Sequence, residues 1–140
     1  MTGRWDSIQK VQNVASKIYR DDKIWTRNNK LGYMPVIFPG FSWNNLNPRA
    51  PFNQIPRLKG RFIWEQIKQA KRGNVDILFQ AMFDEVNEGT AILKIGDDQP
   101  VGGNFLTYEG LPNDFYLKLV GNAAKCLKNQ ISCENIPKNE

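Results

Sequence analysis

The stretch Val75-Asp-Ile-Leu-Phe-Gln-Ala-Met-Phe-Asp-Glu-Val-Asn-Glu-Gly89 decides the fold of this chain. Its first part, residues 75–83, is mostly apolar and rich in strand formers, which indicates a buried β-strand. The strand runs directly into three carboxylates, Asp84, Glu85 and Glu88. In parallel α/β folds, ligands bind beyond the carboxyl ends of the strands. The stretch therefore predicts a parallel strand with polar chemistry at its end.

Helices and strands alternate in the rest of the pattern. A second apolar run, residues 33–38, ends at Pro39-Gly40 and predicts another strand buried on both faces. Apolar residues at helical spacing predict three helices, over residues 7–20, 61–72 and 112–127. The order helix, strand, helix, strand, helix predicts βαβ units and an α/β fold with a parallel sheet.

Three segments are expected to lack long regular structure. Asp21-Asp22-Lys23 is a polar exit from the first helix, and residues 26–32 follow as a loop. Prolines within residues 41–59 predict an irregular segment, and an irregular segment that long usually has a function. Residues 91–95 fit a short strand or one turn of helix.

Two strands alone do not make a stable sheet, because both would be edges with unpaired backbone groups. A complete (β/α)₈ barrel needs about 250 residues. The sequence therefore indicates a slice of a larger α/β fold, in which residues 132–140 are a polar, frayed tail.

Composition narrows the class of protein. The 140 residues are 41% hydrophobic and 24% charged, which fits one globular domain. No apolar run approaches the ~18 residues of a membrane span. Residues 1–6 lack the apolar core of a secretory signal. We expect no membrane partner, whereas the compartment stays open because a longer parent could be secreted or periplasmic.

The net charge of +5 raises the alternative of a small nucleic-acid-binding domain. The basic residues, however, are spread along the chain and mixed with acidic ones. The two tight clusters, at residues 57–61 and 71–72, carry no nucleic-acid signature. We expect lysines on solvated helix faces and no nucleic acid as partner.

Histidine is absent, which excludes Ser-His-Asp and Cys-His catalysis and zinc sites that use histidine. Acid–base chemistry must then come from carboxylates, tyrosines, lysines or cysteines. Cys126 and Cys133 on one helix would lie about 10 Å apart, beyond the ~7 Å that a disulfide tolerates. The sequence predicts a buried thiol in the helix and a free thiol in the tail, with no cofactor and no metal.

The crowded carboxylates after the second strand suit acid–base chemistry. Close acids raise one another's pKa values, so one is held protonated beside an ionised neighbour. Glycoside hydrolysis uses such a pair. In this interpretation an aromatic ring of the first loop, Phe41 or Trp43, stacks on a sugar, and amides bind its hydroxyls: Asn44, Asn45 and Asn87. Two alternatives remain open, an acidic helix N-terminus and a Mg²⁺ or Ca²⁺ site.

Separated motifs stand in order at residues 34–43, 53–57, 60–64, 81–92, 105–112 and 114–116. Together they resemble the end of glycoside hydrolase family 71/99-like proteins, whose bacterial members are labelled xylosidase or arabinosidase. The motifs cover nearly all of the chain but only the last two βα units of the family barrel. The resemblance therefore implies a partial TIM-type (β/α) barrel, the last two βα units with a C-terminal helix, in which residues 1–131 are the barrel portion.

The related family 99 endo-α-mannosidases and endo-α-mannanases carry a Glu-x-x-Glu pair after the last strand, and Glu85 and Glu88 match that spacing. The resemblance implies that Glu88 is the general acid/base. It implies that Glu85 assists the sugar's own 2-hydroxyl, in a retaining route through a 1,2-anhydro sugar. Between the glutamates this chain has Val86-Asn87 where family 99 has Trp-His.

The resemblance also implies that Asp84, Phe41 and Trp43 are neighbours of the substrate. Asn44 stands where relatives often have histidine after the loop tryptophan. Other polar residues are expected to be structural: Arg57 and Arg61 brace loops by pairing with carboxylates, and Tyr108 and Glu109 pack.

Two function hypotheses follow for a glycan partner. In the first, the chain is a fragment of a retaining glycosidase that acts on α-linked glycans and is inactive in isolation. In the second, it is a non-catalytic carbohydrate-binding remnant that keeps the aromatic and asparagine loop. Exposed sheet edges would also allow self-association in either case.

Overall fold

The computed structural model describes residues 5–138. Its elements are α1 (Ile8–Asn28), β1 (Val36–Ile37), a 3₁₀ turn (Leu58–Gly60), α2 (Arg61–Arg72), β2 (Phe79–Gln80) and α3 (Phe115–Leu127). The predicted order of helices and strands is confirmed. Residues 1–4, on which the expectation of no secretory signal partly rests, lie outside the described residues, as do residues 139–140 of the predicted tail.

Helix α1 is longer than its sequence pattern predicts. Its N-cap is Ser7, whose Oγ accepts a hydrogen bond from Lys10 N at 3.4 Å, and the helix continues to Asn28. The acidic residues expected to end it are held by partners instead: Asp21 pairs with Lys17 one turn earlier, and Asp22 accepts from Tyr33 Oη at 3.0 Å. No helix within residues 5–138 is both long and apolar enough to cross a membrane.

Helix α2 lies at the centre of the molecule, and its predicted bounds are confirmed. One cluster of buried side chains joins it to α1, with Phe62 and Ala70 against Val11 and Tyr19. A second cluster joins it to α3 and includes Ile63, Trp64, Ile67, Phe115 and Leu119. Because α2 is packed on two sides, even its polar residues Glu65, Gln66 and Gln69 are buried.

A buried amide connects α2 to β1. Gln66, with 0% exposure, donates from Nε2 to Phe38 O at 2.8 Å and accepts at Oε1 from Phe38 N at 3.3 Å. Both backbone groups of the residue after β1 are thereby satisfied without a further strand. This contact fixes the point at which the chain leaves the sheet.

The two strands pair in parallel, as the sequence predicts, with Val36 opposite Phe79 and Ile37 opposite Gln80. Both are shorter than the apolar runs from which they were predicted. Each strand has only one partner strand among the described residues. Each strand therefore ends where the two segments move apart and the hydrogen bonds between them stop.

The prediction that both faces of the sheet are buried is wrong. Ile37 faces α2 and is 2% exposed, whereas Val36 and Phe79 are 49% and 44% exposed. Met34 and Ile77 extend the same exposed pattern before each strand. The described helices cover one face only. No helix within residues 5–138 therefore packs against the exposed apolar side chains of the other face.

Two smaller predictions also need correction. Residues 91–95 form neither strand nor helix, because Ile92 N and Leu93 N both donate to Phe83 O and close a turn instead. The third helix begins at Phe115 rather than at Pro112, whose carbonyl accepts from Phe115 N at 2.9 Å.

The prediction of two free thiols is wrong. Cys126 and Cys133 form a disulfide with their Cα atoms 5.4 Å apart. Helix α3 ends at Leu127, and Asn129 adopts a positive φ of 60°, so the chain turns back and does not carry Cys133 along the helix axis. Within the predicted tail, Cys133 O accepts from Trp64 Nε1 at 3.1 Å, and Glu134 pairs with Arg72 at 2.8 Å.

We predict that reduction of the disulfide lowers the free energy of unfolding by about 2 kcal/mol, because the short loop between the cysteines loses its constraint in the unfolded chain. Urea unfolding with and without dithiothreitol measures this change. A double variant, Cys126→Ala with Cys133→Ser, is the control, and its urea midpoint should be the same with and without dithiothreitol. An unchanged wild-type midpoint under reducing conditions would contradict the pairing.

We predict that substitutions at two neighbouring residues of β1 change stability by very different amounts. Ile37→Ala should cost about 2–4 kcal/mol, because it leaves a cavity against α2. Val36→Ala, the matched control on the uncovered face, should change stability by no more than about 0.5 kcal/mol. Equal losses for both variants in chemical denaturation would show that the Val36 face is covered in solution.

Candidate functional site

The two segments that follow the strands meet at one end of the molecule, as expected for parallel strands. Ser42 N donates to Glu88 O at 2.8 Å, and Asn45 Nδ2 donates to Asn87 O at 3.1 Å. These bonds join the loop after β1 to the acidic turn after β2. The backbone on which Glu88 is carried is therefore held by the first loop.

The loop after β1 is folded on itself without regular structure. Phe41 and Ile55 exchange two backbone hydrogen bonds of 2.9 Å each, and Ser42 Oγ accepts from Asn53 N at 3.0 Å. A Cβ atom at Gly40 would lie 2.7 Å from Ile55 O. Only glycine allows this approach, so the sharp exit from β1 and the closed loop depend on each other.

The acidic turn after β2 is closed by its own backbone. The carbonyl of Glu85 accepts from Thr90 N and Ala91 N, each at 3.2 Å. Gly89 has a φ of +68°, and a Cβ there would lie 2.5 Å from Leu106 Cδ1. The turn thus needs glycine both for its conformation and for its contact with the segment that carries Leu106.

The carboxyl groups of Glu85 and Glu88 interact with each other. The pKa of Glu88 is raised, first by desolvation, then by the negative charge of Glu85 and by a hydrogen bond between the two carboxyls. The predicted feature of crowded acids with one elevated pKa is therefore present at Glu88. Both side chains are partly buried, whereas Asp84 and Asn87 are exposed.

The two aromatic residues expected beside a substrate differ in burial. Trp43 is 46% exposed, whereas Phe41 is 5% exposed and packs in the cluster between α1 and α2. Trp43 N donates to Gln54 Oε1 at 3.1 Å, which holds the backbone beneath the exposed ring. Of these two residues, Trp43 is therefore the one that offers an open aromatic surface.

Asn44 and Asn45, the two asparagines of this loop that were expected to bind sugar hydroxyls, donate to backbone carbonyls. Asn44 Nδ2 donates to Ala50 O at 2.9 Å, and its Oδ1 accepts from Asn104 Nδ2 at 2.9 Å. Asn45 uses its amide to hold Asn87 O at 3.1 Å. Both side chains thus position the loop. Within residues 5–138, no three cysteine, aspartate or glutamate side chains are grouped to hold a metal ion.

The environment of Arg57 was not anticipated. This side chain is 2% exposed and forms no ion pair with a carboxylate of residues 5–138, contrary to the expected bracing role. Its guanidinium carbon lies 4.6 Å from the ring centre of Tyr116 and 5.0 Å from that of Tyr108. Burial raises the pKa of both tyrosines, while the Arg57 charge opposes that rise.

Comparison with known proteins gives a fold. No family model matches the chain, and no curated protein matches it. It is similar to the GH99 endo-alpha-mannosidase from Bacteroides thetaiotaomicron, with a TM-score of 0.73, 18% identity and coverage of 82% of this chain and 34% of that one. The structure of that enzyme with BIS-TRIS-propane gives 0.72, 18%, 81% and 35%.

The chain thus spans about a third of the length of these enzymes. At this identity the likeness concerns the fold. It supports a mixed α/β architecture similar to part of a glycoside hydrolase barrel, in agreement with the resemblance seen in the sequence.

We predict that Glu85→Gln lowers the pKa of Glu88 toward its ordinary value, because a neighbouring negative charge is removed. The fall should be partial, since desolvation is the larger cause. NMR titration of the side-chain carboxyl carbons measures it, with Asp97→Asn as an exposed control. A Glu88 pKa that ignores the Glu85 substitution would contradict the interaction of the two carboxyls.

The same shift has a consequence for stability. A carboxyl with a pKa raised on folding binds its proton more tightly in the folded chain than in the unfolded one. Its contribution to stability therefore falls as the pH rises from the ordinary pKa of a glutamate through the raised pKa of the folded chain. Glu88→Gln should remove this part of the pH dependence of unfolding.

Proposed function

We propose that this chain is part of a glycoside hydrolase barrel that cleaves α-linked glycans with retention of configuration, using Glu85 and Glu88. The observation that carries the proposal is the pair of interacting carboxyls just beyond β2, in a chain whose fold is similar to that of GH99 enzymes. A protonated acid beside an ionised base is the arrangement that glycosidic cleavage requires.

In the first step, the Glu88 carboxyl gives its proton to the glycosidic oxygen while the bond from that oxygen to the anomeric carbon breaks. The Glu85 carboxylate takes the proton of the sugar's 2-hydroxyl, whose oxygen attacks the anomeric carbon and forms a 1,2-anhydro sugar. In the second step, water attacks that carbon and gives a proton to Glu88, while the bond from that carbon to the 2-oxygen breaks and Glu85 returns its proton to the 2-oxygen.

The proposed substrate-side residues are those of the two loops. Trp43 supports this role through its exposed ring, and Asp84 and Asn87 through their exposed polar groups. The remaining three, Phe41, Asn44 and Asn45, have less open surface, and their packing and hydrogen bonds hold the loop that presents Trp43.

We propose that residues 1–131 form the barrel portion and residues 132–140 its polar tail. The uncovered apolar face of the sheet and the one-third coverage of the GH99 enzymes support a need for further βα units. In this proposal the isolated chain is inactive, because one side of the cleft is missing. The proposal includes membership of the xylosidase/arabinosidase-labelled group, which the motifs around Trp43 and Glu88 support.

We predict that a barrel completed by upstream coding sequence cleaves α-linked oligosaccharides and that Glu88→Gln lowers the rate by about 10²–10⁴-fold, as expected for loss of a general acid. The DNA preceding the Met1 codon is first sequenced, and any in-frame extension is expressed with residues 1–140. Hydrolysis is followed by NMR, which also reports the anomeric configuration of the first product.

Asp97→Asn is the matched control, since it also turns a carboxylate into an amide but lies outside the pair, at an exposed position. Full activity in Glu88→Gln would contradict the assignment of Glu88 as the general acid. Inverted product configuration would contradict the role given to Glu85.

A second candidate function is glycan binding without cleavage, favoured by the exposed ring of Trp43 beside polar side chains. In that case no in-frame extension restores hydrolysis. The chain binds oligosaccharide on its own, and Trp43→Ala abolishes the binding.

A further inference from the structure

A cavity of about 340 Å³ lies between the loop after β1 and the segment before α3. It is separate from the residues to which catalysis was assigned. Two aromatic rings and several polar side chains line it; those used below are Phe52, Asn53, Arg57, Phe105 and Glu109. The cavity is large enough for a small organic ring with its substituents.

Two polar residues of this cavity have atoms without partners. Arg57 Nε and Nη1 and Asn53 Oδ1 are buried and have no hydrogen-bond partner among the described residues. Buried donors and acceptors are normally paired, because each unpaired one costs free energy. Two unpaired guanidinium nitrogens and an unpaired amide oxygen, on residues that line one cavity, indicate a polar ligand that both accepts and donates hydrogen bonds.

The charges of the lining favour an uncharged ligand. Arg57 supplies one positive charge and Glu109 one negative charge. Glu109 Oε2 is held by Lys59 N at 2.6 Å and by Tyr116 Oη at 3.4 Å. Because the two charges balance, an anionic ligand would gain from Arg57 but be repelled by Glu109. Hydroxyl groups, which donate and accept, satisfy both.

The aromatic residues add the second requirement of a sugar site. Phe52 is 46% exposed, and Phe105 lines the same cavity. A sugar ring has an apolar face of C–H groups that packs on an aromatic ring, while its hydroxyls point outward. A lining that combines phenyl rings with an amide, a guanidinium and a carboxylate therefore suits a neutral sugar better than a purely apolar molecule.

The cavity is also tied to the backbone of Glu88. Asn53 N donates to Ser42 Oγ at 3.0 Å, and Ser42 N donates to Glu88 O at 2.8 Å. On the other side, Gly89 packs directly against Leu106, which lines the cavity. Two independent contacts thus hold the cavity and the acidic turn in one frame.

We propose that this cavity is a binding subsite for one uncharged sugar unit of a glycan, with Arg57 and Asn53 binding its hydroxyls and Phe52 packing on its ring. That the glycan is the one cleaved at Glu85 and Glu88 rests on the proposed function. The binding itself does not, since it requires no cleavage and uses none of the catalytic residues.

The test is a titration of the 140-residue chain with a neutral α-linked mannotetraose, followed by backbone amide NMR. Amide shifts are expected to change around Asn53 and Leu106. Phe52→Ala should weaken the affinity by roughly three- to tenfold, the effect of losing one aromatic contact. Leu117→Ala on α3, where Leu117 is 44% exposed, is the control and should bind like wild type.

A second titration uses tetragalacturonate, which has the same length but carries a carboxylate on each unit. Weaker binding of this probe supports the uncharged assignment, and tighter binding overturns it. Absence of binding, shifts confined to residues away from the cavity, or an unchanged affinity in Phe52→Ala also overturns the proposal.

Failure of the proposed function is distinguishable from failure of the subsite. Glu88→Gln should bind mannotetraose like wild type, because Glu88 does not line the cavity. If Glu88→Gln leaves hydrolysis unchanged while binding still depends on Phe52, the proposed catalytic roles are wrong but the subsite remains supported. Only its link to cleavage is then removed.

Discussion

The arrangement of the molecule depends on the buried amide of Gln66. By binding both backbone groups of Phe38, it ends β1 against the central helix and satisfies a strand end that would otherwise need another strand. The sharp exit at Gly40, the closure of the loop through Phe41 and Ile55, and the bond from Ser42 to the acidic turn all follow from that anchor.

Much of the framework could be predicted from local pattern. Helix α2 follows from its apolar spacing, and the parallel pairing follows from the alternation of helices and strands. The extent of α1 could not, because Asp21 and Asp22 read as a polar exit, while the Tyr33 hydroxyl that donates to Asp22 is brought there by the fold. The disulfide was missed because the turn at Asn129 is a backbone conformation that the spacing of two cysteines does not reveal.

The candidate site divides in the same way. Glu85 and Glu88 are visible in the sequence, since their spacing and their position after an apolar run are local features. The cavity at Arg57 is assembled from segments some fifty residues apart in the chain, as is clear from the bond between Lys59 and Glu109. The only local signal was an arginine in a proline-rich loop, and it suggested a carboxylate partner rather than the two tyrosine rings that enclose it.

The uncovered face of the sheet affects how the chain would combine with other strands. Val36 and Phe79 lie directly opposite each other, on two strands whose outer edges have no partner strand within residues 5–138. Any strand that adds to either edge gains backbone hydrogen bonds and places its own side chains beside Val36 or Phe79, which begins to bury them. Edge pairing and burial are therefore one cooperative event. Growth of the sheet should proceed by whole βα units, because a helix alone would satisfy neither edge.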